Sequence, residues 1–364
     1  MSVGPLTFMV VGDSISQGIE GDFTWRYRLY EHLSAQNLTP EFVGPWFGTN
    51  ATGSASRVAL VGNDGCYRPE IAFSSAHLCG WGWMLAYGAA VIAEQVCRYK
   101  PAYLLVELGF NDVAWNLGTH CEVTVAEAAG AALHSFVASA RAANPALRIL
   151  LADLPQRAPL AEYPALPRKL ATYNHRLDGY LHAVNAGSQS PAVVRVPLAA
   201  SFDHTRDAYD GVHPNVHGEY VIAKAYADQL ASSFGVGAPL SIPRSLACEL
   251  APGPTAAVSI RIERDWTTYL SWTRVFGAAG FWIWARDTSQ GEHEFRRLPW
   301  PVTRTGWQGP QLSAGQRIEF KVQTMRGHHV SAFSQTVTLA RPDHASTYGE
   351  CLAASTQLSA AGST

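Results

Sequence analysis

Over roughly the first 235 residues the chain repeats one pattern: a short run rich in Val, Leu and Ile, then a longer stretch with helical spacing. The short runs are Leu6–Val11, Glu41–Val43, Tyr103–Leu108, Arg148–Ala152 and Val193–Val196. The helix-like stretches are Trp25–Ala35, Trp83–Arg98, Val125–Ala143, Pro167–Asn185 and Val216–Phe234. Strands that are apolar on both faces must be buried on both faces, which is the situation of a parallel sheet. Helices joining parallel strands cover both sides of the sheet, so the pattern predicts an α/β domain of three layers. In such a sheet the reactive groups gather outside the carboxyl ends of the strands.

The texture then changes. Residues 237–254 are rich in Gly, Pro, Ala and Ser and read as a linker after a first domain of residues 1–236. Residues 255–341 carry short alternating runs ("AVSIRIE", "TYLSWT", "GFWIWARD", "RIEFKVQT") divided by turn residues, which predicts an all-β sandwich. Residues 342–364 are dominated by Ala, Ser and Thr and are expected to be a disordered tail.

Bulk properties exclude several classes. Hydrophobic residues make up 47% and charged residues 15%, a balance that supports packed cores. A net charge of −2 offers no basic surface to nucleic acid or anionic lipid. No apolar run reaches the roughly 20 residues of a membrane span. No basic segment and apolar stretch precede the first strand, so the chain as it stands is expected in the cytoplasm, or secreted if it is a processed form. The six cysteines show no CxxC or Cys/His cluster, which argues against zinc and for free buried thiols. With neither a Walker loop nor GxGxxG after the first strand, no cofactor is expected. Nothing in the sequence speaks to oligomeric state.

Three segments carry chemistry. "FMVVGDSISQG" ends the first strand on Asp13 and Ser14. A serine there faces the substrate side of the sheet, but its hydroxyl needs a base, a group to orient that base and donors for an oxyanion. "LVELGFNDVAW" places Asn111 after the third strand, where its NH2 could meet an oxyanion. "YDGVHPNVHG" places Asp210 three residues before His213, and Pro214 holds His213 in an extended conformation off the following helix. A carboxylate at that offset can fold under the ring and bond Nδ1–H, leaving Nε2 to accept a proton. Taken alone, Ser14 also fits a turn or helix cap, and Asn111 an Asx turn.

Together, "GDSISQG", "GFNDV" and "DGVH" resemble the three blocks of the SGNH/GDSL serine hydrolase superfamily, in its order and spacing. The resemblance implies a flavodoxin-like α/β/α sandwich. It implies Ser14 as nucleophile, His213 as base and Asp210 as its orienting acid, with the oxyanion held by the Ser14 N–H, Asn111 and a glycine N–H. Gly80 of "AHLCGWGWML" is the candidate for that glycine, with Gly82 as rival. Asp13, His77 and Trp81 are candidate substrate-binding residues; Asp13 also suits bracing the turn, and His77 and Trp81 also suit packing. "GDFTWRYRLYEHL" followed by "FVGP" resembles the carbohydrate-esterase-like branch, which includes acetylxylan esterases. That implies a small-molecule ester substrate, with a short acyl chain on a sugar or other hydroxylated compound. The later residues resemble a fibronectin type III module, with Trp272 as core tryptophan and Ile318 where that module keeps a tyrosine.

Three functions are weighed on this basis: a serine esterase, an acyltransferase working through the same acyl-enzyme, and a binding scaffold with a vestigial site. The tryptophans Trp282, Trp284, Trp300 and Trp307 suit either a sugar platform or sandwich packing.

Overall fold

The structure, a computed structural model, describes residues 6–51, 65–115, 121–246, 250–263 and 265–343. It divides into two units, residues 1–250 and 251–364.

The first unit runs β1 (Thr7–Gly12), α1 (Ser14–Gln17), α2 (Thr24–Ser34), β2 (Glu41–Phe42), β3 (Leu78–Cys79), α3 (Leu85–Tyr99) and β4 (Tyr103–Glu107). It continues with α4 (Phe110–Ala114), α5 (Glu122–Ala143), β5 (Arg148–Ala152), α6 (Leu166–Asn185), β6 (Val193–Val196), α7 (His204–Asp207) and α8 (Val216–Phe234). Its sheet is parallel, in the order β2-β1-β4-β5-β6, with β3 pairing the end of β1. The order reverses direction at β1, so a crevice opens between the carboxyl ends of β1 and β4.

Side chains alternate across this sheet with period two. Met9 and Val11 of β1, with Leu104 and Val106 of β4, face the layer of α3, α5 and α6. Phe8 and Val10, with Tyr103 and Leu105, face α2 and α8. Helix α5 is long and apolar enough to cross a membrane, and 44% of its most apolar window is buried in the fold. Its Ala126, Ala129, Leu133, Phe136 and Ala140 pack into the core beside α3 and α6, which accounts for its apolar face. On the other face the Trp25 indole stacks on Tyr226 at 4.6 Å and 5°, both fully buried.

The stretch expected to be linker begins as part of this unit. Leu240 is buried with the α2/α8 core, and Lys224 Nζ donates to its carbonyl at 2.9 Å. The Ala238 amide donates to Gln36 Oε1 at 2.7 Å. The expected tail lies outside the described residues from position 344 onward.

The second unit is all β. β7 (Val258–Ile262), β8 (Thr267–Trp272) and β11 (Gly306–Gln311) form one antiparallel sheet. β9 (Gly280–Asp287), β10 (Arg296–Arg297), β12 (Arg317–Arg326), β13 (His329–Val330) and β14 (Val337–Ala340) form the other. Leu270, Trp272, Phe281, Ile283, Phe320 and Val322 fill its core. The four tryptophans do not make one open row. The Trp282 face is covered by the Arg297 guanidinium at 4.1 Å, and Trp284 meets Phe333 edge-on at 5.4 Å. Trp307 packs on Phe320, and only Trp300 is largely exposed, at 72%.

Candidate active site

Ser14 opens α1 directly after β1, and the Asp13 side chain caps that helix by accepting from the Ile15 amide at 2.9 Å. Position 12 must be glycine here, because a Cβ on Gly12 would lie 2.4 Å from the Ser16 Cβ. The tight turn presents Ser14, half-buried, at the sheet's carboxyl edge.

His213 reaches it from a loop closed on itself. Ala208 and Pro214 bridge, the Tyr209 amide donates to the His213 carbonyl at 3.0 Å, and Asp210 turns the tip. Asp210 Oδ1 accepts from the Val212 and His213 amides at 3.0 and 2.8 Å, an Asx turn that fixes its carboxylate. Its Oδ2 lies 2.7 Å from His213 Nδ1. A carboxylate only accepts, so Nδ1 carries a hydrogen, and Nε2 of the neutral ring is the acceptor for the Ser14 hydroxyl at 3.0 Å. Hydroxyl, imidazole and carboxylate thus form one hydrogen-bonded chain across 199 positions of sequence.

Electrostatics fit that chain. Burial raises the Asp210 carboxyl, but the His213 charge and the hydrogen bonds it receives outweigh this and hold it below its ordinary range. Burial lowers the His213 imidazole, while Asp210, with Asp13 and Asp22 further off, raises it above its ordinary value on balance. The ring is also held by stacking: Trp81 lies 4.6 Å away and Tyr209 5.9 Å away, both near parallel.

Two expected oxyanion donors are engaged otherwise. The Gly80 amide donates to the Gly12 carbonyl at 3.1 Å, continuing the β3–β1 ladder, so it is not free for a ligand. The neighbouring Gly82 has φ +77° and open space around its Cα. Among the described residues its N–H has no backbone acceptor. Both hydrogens of the Asn111 NH2 are also bonded, one to Asp13 Oδ2 at 3.1 Å and one to the Trp83 carbonyl at 2.9 Å. Asn111 is placed beside the nucleophile turn, but in this state its amide points to protein acceptors.

Of the residues expected to touch substrate, only Trp81 borders the reacting groups. Asp13 and His77 are fully buried, Asp13 in the helix cap and His77 with Nδ1 accepting from the Cys79 amide at 3.0 Å. Burial pushes Asp13 up to about 6, with the Ile15 amide, Glu107 and His213 opposing the shift. His217, partly exposed, has its Nδ1 2.7 Å from the buried Asp207, away from Ser14. Asp112 accepts from the Leu85 amide at 2.9 Å and so starts α3. Of the cysteines, Cys79 is a buried thiol, but Cys66, Cys97 and Cys121 are free and exposed; Cys248 and Cys351 lie outside the described residues.

Sequence reasoning missed two residues that shape the site. Arg26, fully buried on α2, donates to four carbonyls: Ser16 (2.9 Å), Gln17 (3.1 Å), Gly48 (2.8 Å) and Ser75 (2.9 Å). It ties α1 to the loops that follow β2, and nothing in a lone arginine of an amphipathic stretch signals that. Glu107 ends β4 and is 1% exposed. The sequence did carry a signal for it: an acid closing the otherwise apolar strand "YLLVE".

No curated protein matches the chain. Solved structures similar to it include a carbohydrate esterase family 3 protein from Talaromyces cellulolyticus, 24% identical, covering 62% of this chain and 97% of that one, with TM-score 0.47. A family 3 carbohydrate esterase of Clostridium thermocellum is 21% identical over 63% of this chain and 96% of its own, with TM-score 0.47. A variant of an acetyl xylan esterase from Geobacillus stearothermophilus is 18% identical over 66% and 100%, with TM-score 0.42. The family model for the GDSL-like lipase/acylhydrolases matches residues 8–226, which covers Ser14, Asn111, Asp210 and His213. This chain therefore belongs to the GDSL-like lipase/acylhydrolase family and is a serine esterase, a hydrolase of carboxylic esters.

Proposed function

We propose that the chain cleaves short-chain esters through a Ser14 acyl-enzyme, with His213 as general base and Asp210 as its orienting acid. The observation that carries this is the continuous hydrogen-bonded chain from Ser14 Oγ through both ring nitrogens to Asp210 Oδ2. Ser14 Oγ attacks the ester carbonyl as its proton passes to Nε2, and the imidazolium so formed is stabilised by Asp210. The same proton then goes to the leaving alcohol. Water, activated by the same nitrogen, releases the acid.

The developing oxyanion takes the Ser14 N–H and, in place of Gly80, the Gly82 N–H. The segment holding Gly82 is stitched to the site on every side, which supports that assignment. Gly80 bonds Gly12, Trp81 stacks on His213, and the Trp83 carbonyl holds Asn111. Asn111 serves as the third donor by turning one N–H from its protein acceptors to the oxyanion, whose full charge competes well with a neutral carbonyl. The substrate class we propose is a short acyl ester of a sugar or other small hydroxylated compound. The resemblance of the α2 segment "GDFTWRYRLYEHL" to carbohydrate esterases supports it.

The test is an ester panel, from acetyl to long acyl and including acetylated sugars, run on the wild type and Ser14→Ala. A burst with p-nitrophenyl acetate, stoichiometric labelling of Ser14 by a phosphonate and preference for short acyl groups are expected. Full activity in Ser14→Ala would reject the mechanism.

A further inference from the structure

Beneath the nucleophile turn lies a pair of buried acids that the ester mechanism does not use. Gly12 and Glu107 are register partners on adjacent strands, which brings Glu107 under Asp13. Asp13 is 0% exposed and Glu107 1%, and the charge of each acts directly on the other. Two carboxylates in contact in a dry site cannot both be ionised, so one proton lies between them.

The surrounding donors decide which acid holds it. Both Asp13 oxygens already accept, Oδ1 from the Ile15 amide and Oδ2 from Asn111 Nδ2. That is the pattern of an ionised carboxylate. Glu107 Oε2 accepts from Ser16 Oγ at 2.9 Å, while Oε1 has no donor among the described residues. Oε1 is therefore the oxygen left to carry the proton, with Asp13 the acid beside it. Ser16 is held in turn by Trp25, whose Nε1 donates to Ser16 Oγ at 3.1 Å. Burial and the Asp13 charge both raise Glu107 well above the usual carboxyl range, in keeping with this. The other titratable groups facing the pair are His213, Asp112, Cys79 and Tyr226, and His213 alone among them brings positive charge.

We propose that Glu107 is a positioning residue for ester turnover: as a neutral acid it holds Asp13 by donating a hydrogen bond, and through Asp13 Oδ2 it sets the direction and strength of the Asn111 amide beside Ser14. The Asp13 bond fixes one Asn111 N–H and so aims the other, the one that turns from the Trp83 carbonyl to the oxyanion. Without the Glu107 proton, Asp13 loses its partner beneath it and the bond that aims Asn111 loosens. The inference rests on the proposed role of Asn111 as an oxyanion donor.

The experiment compares Glu107→Gln, Glu107→Leu, Asn111→Ala and the double variant Glu107→Leu/Asn111→Ala on p-nitrophenyl acetate, with thermal melts as folding control. Gln keeps both bonds, accepting from Ser16 and donating to Asp13, and should recover most of kcat. Leu should lower kcat about tenfold or more with KM changed by less than about threefold, a loss confined to the transition state. In the Asn111→Ala background the Leu change should cost less than about twofold, because the two act as one unit. Equal impairment by Gln and Leu, wild-type kcat in both, or the full Leu factor in the Asn111→Ala background would each overturn the relay while leaving the esterase mechanism standing. An unimpaired Asn111→Ala would instead remove the oxyanion role on which the relay depends. If Glu107→Leu fails to fold, infrared difference spectra of wild type and Glu107→Gln decide. The C=O stretch of a buried neutral carboxyl should be present at neutral pH in the wild type and lost in the variant; its absence from the wild type overturns the proposal.

Discussion

The His213 imidazole lies 4.6 Å from the Trp81 indole, ring centre to ring centre, at an interplanar angle of 26°. The contact joins the loop after β3 to the loop before α8, and it leaves the imidazole little freedom to turn. It also places a π face against a ring that becomes cationic during attack. Trp81→Ala should therefore lower kcat about tenfold through lost orientation, and Trp81→Phe should keep most of it. Steady-state kinetics of the two variants at saturating ester check this.

Asp210 is the largest influence raising the His213 ring against the lowering effect of burial. The base must be neutral to act, so activity should decline on the acid side as pH falls through a value above the ordinary imidazole range. In Asp210→Asn burial acts unopposed by that charge, so the acid limb should move to lower pH while kcat drops about a thousandfold or more. A pH–rate profile of both proteins is the measurement. Stability follows the opposite sign for the two groups. His213, raised, stabilises the fold at low pH and loses that contribution as pH rises through its folded value. Asp210, lowered, stabilises above the ordinary carboxyl range and loses its contribution as pH falls through its folded value.

Gly80 and Gly82 should separate packing from catalysis. A Cβ on Gly80 would lie 2.2 Å from Trp83 Nε1, and Trp83 is buried with no room to shift. Gly80→Ala should lower Tm by several degrees, as overpacking by about 1–3 kcal/mol does. Gly82→Ala meets no neighbour but strains a backbone at φ +77°, at about 1–2 kcal/mol. Its larger effect should be on kcat, by displacing the amide. Melting curves set beside turnover numbers distinguish the two.

Arg26→Met removes the donor to four carbonyls and leaves them facing apolar surface. At about 1–3 kcal/mol per unsatisfied buried group, and with partial relaxation, a loss of about 3–5 kcal/mol is expected. Urea denaturation gives the difference directly. A change under about 1 kcal/mol would mean that water replaces the guanidinium.

Much of the scaffold was legible because burial on both faces writes itself into composition. Arg148–Ala152, Val193–Val196 and Val216–Phe234 occupy the bounds expected from the sequence. Helix α5 starts at Glu122, earlier than expected, because its first residues face solvent, Val123 included, and do not continue the buried stripe that begins at Val125. Helix α3 starts at Leu85, later than expected, because Trp83 turns into the core and gives its carbonyl to Asn111. The two-residue β3 and the single-turn α1, α4 and α7 are too short for a period to repeat and could not be read. The expected Gly80 donor failed for a related reason. A motif fixes which residues are present, but the β3–β1 ladder decides which amides remain free.

The sequence alone determined the alternation that makes a parallel sheet, the strand-end positions of Ser14 and Asn111, and the offset from Asp210 to His213. These are local or periodic properties, set by burial and by chain geometry over a few residues. Tertiary structure alone decided that Ser14 Oγ and His213 Nε2 stand 3.0 Å apart, that Asn111 bonds Asp13, and that Glu107 lies beneath it. Each of those contacts joins segments about a hundred or two hundred positions apart, and only the register of packed strands brings them within reach of a shared proton.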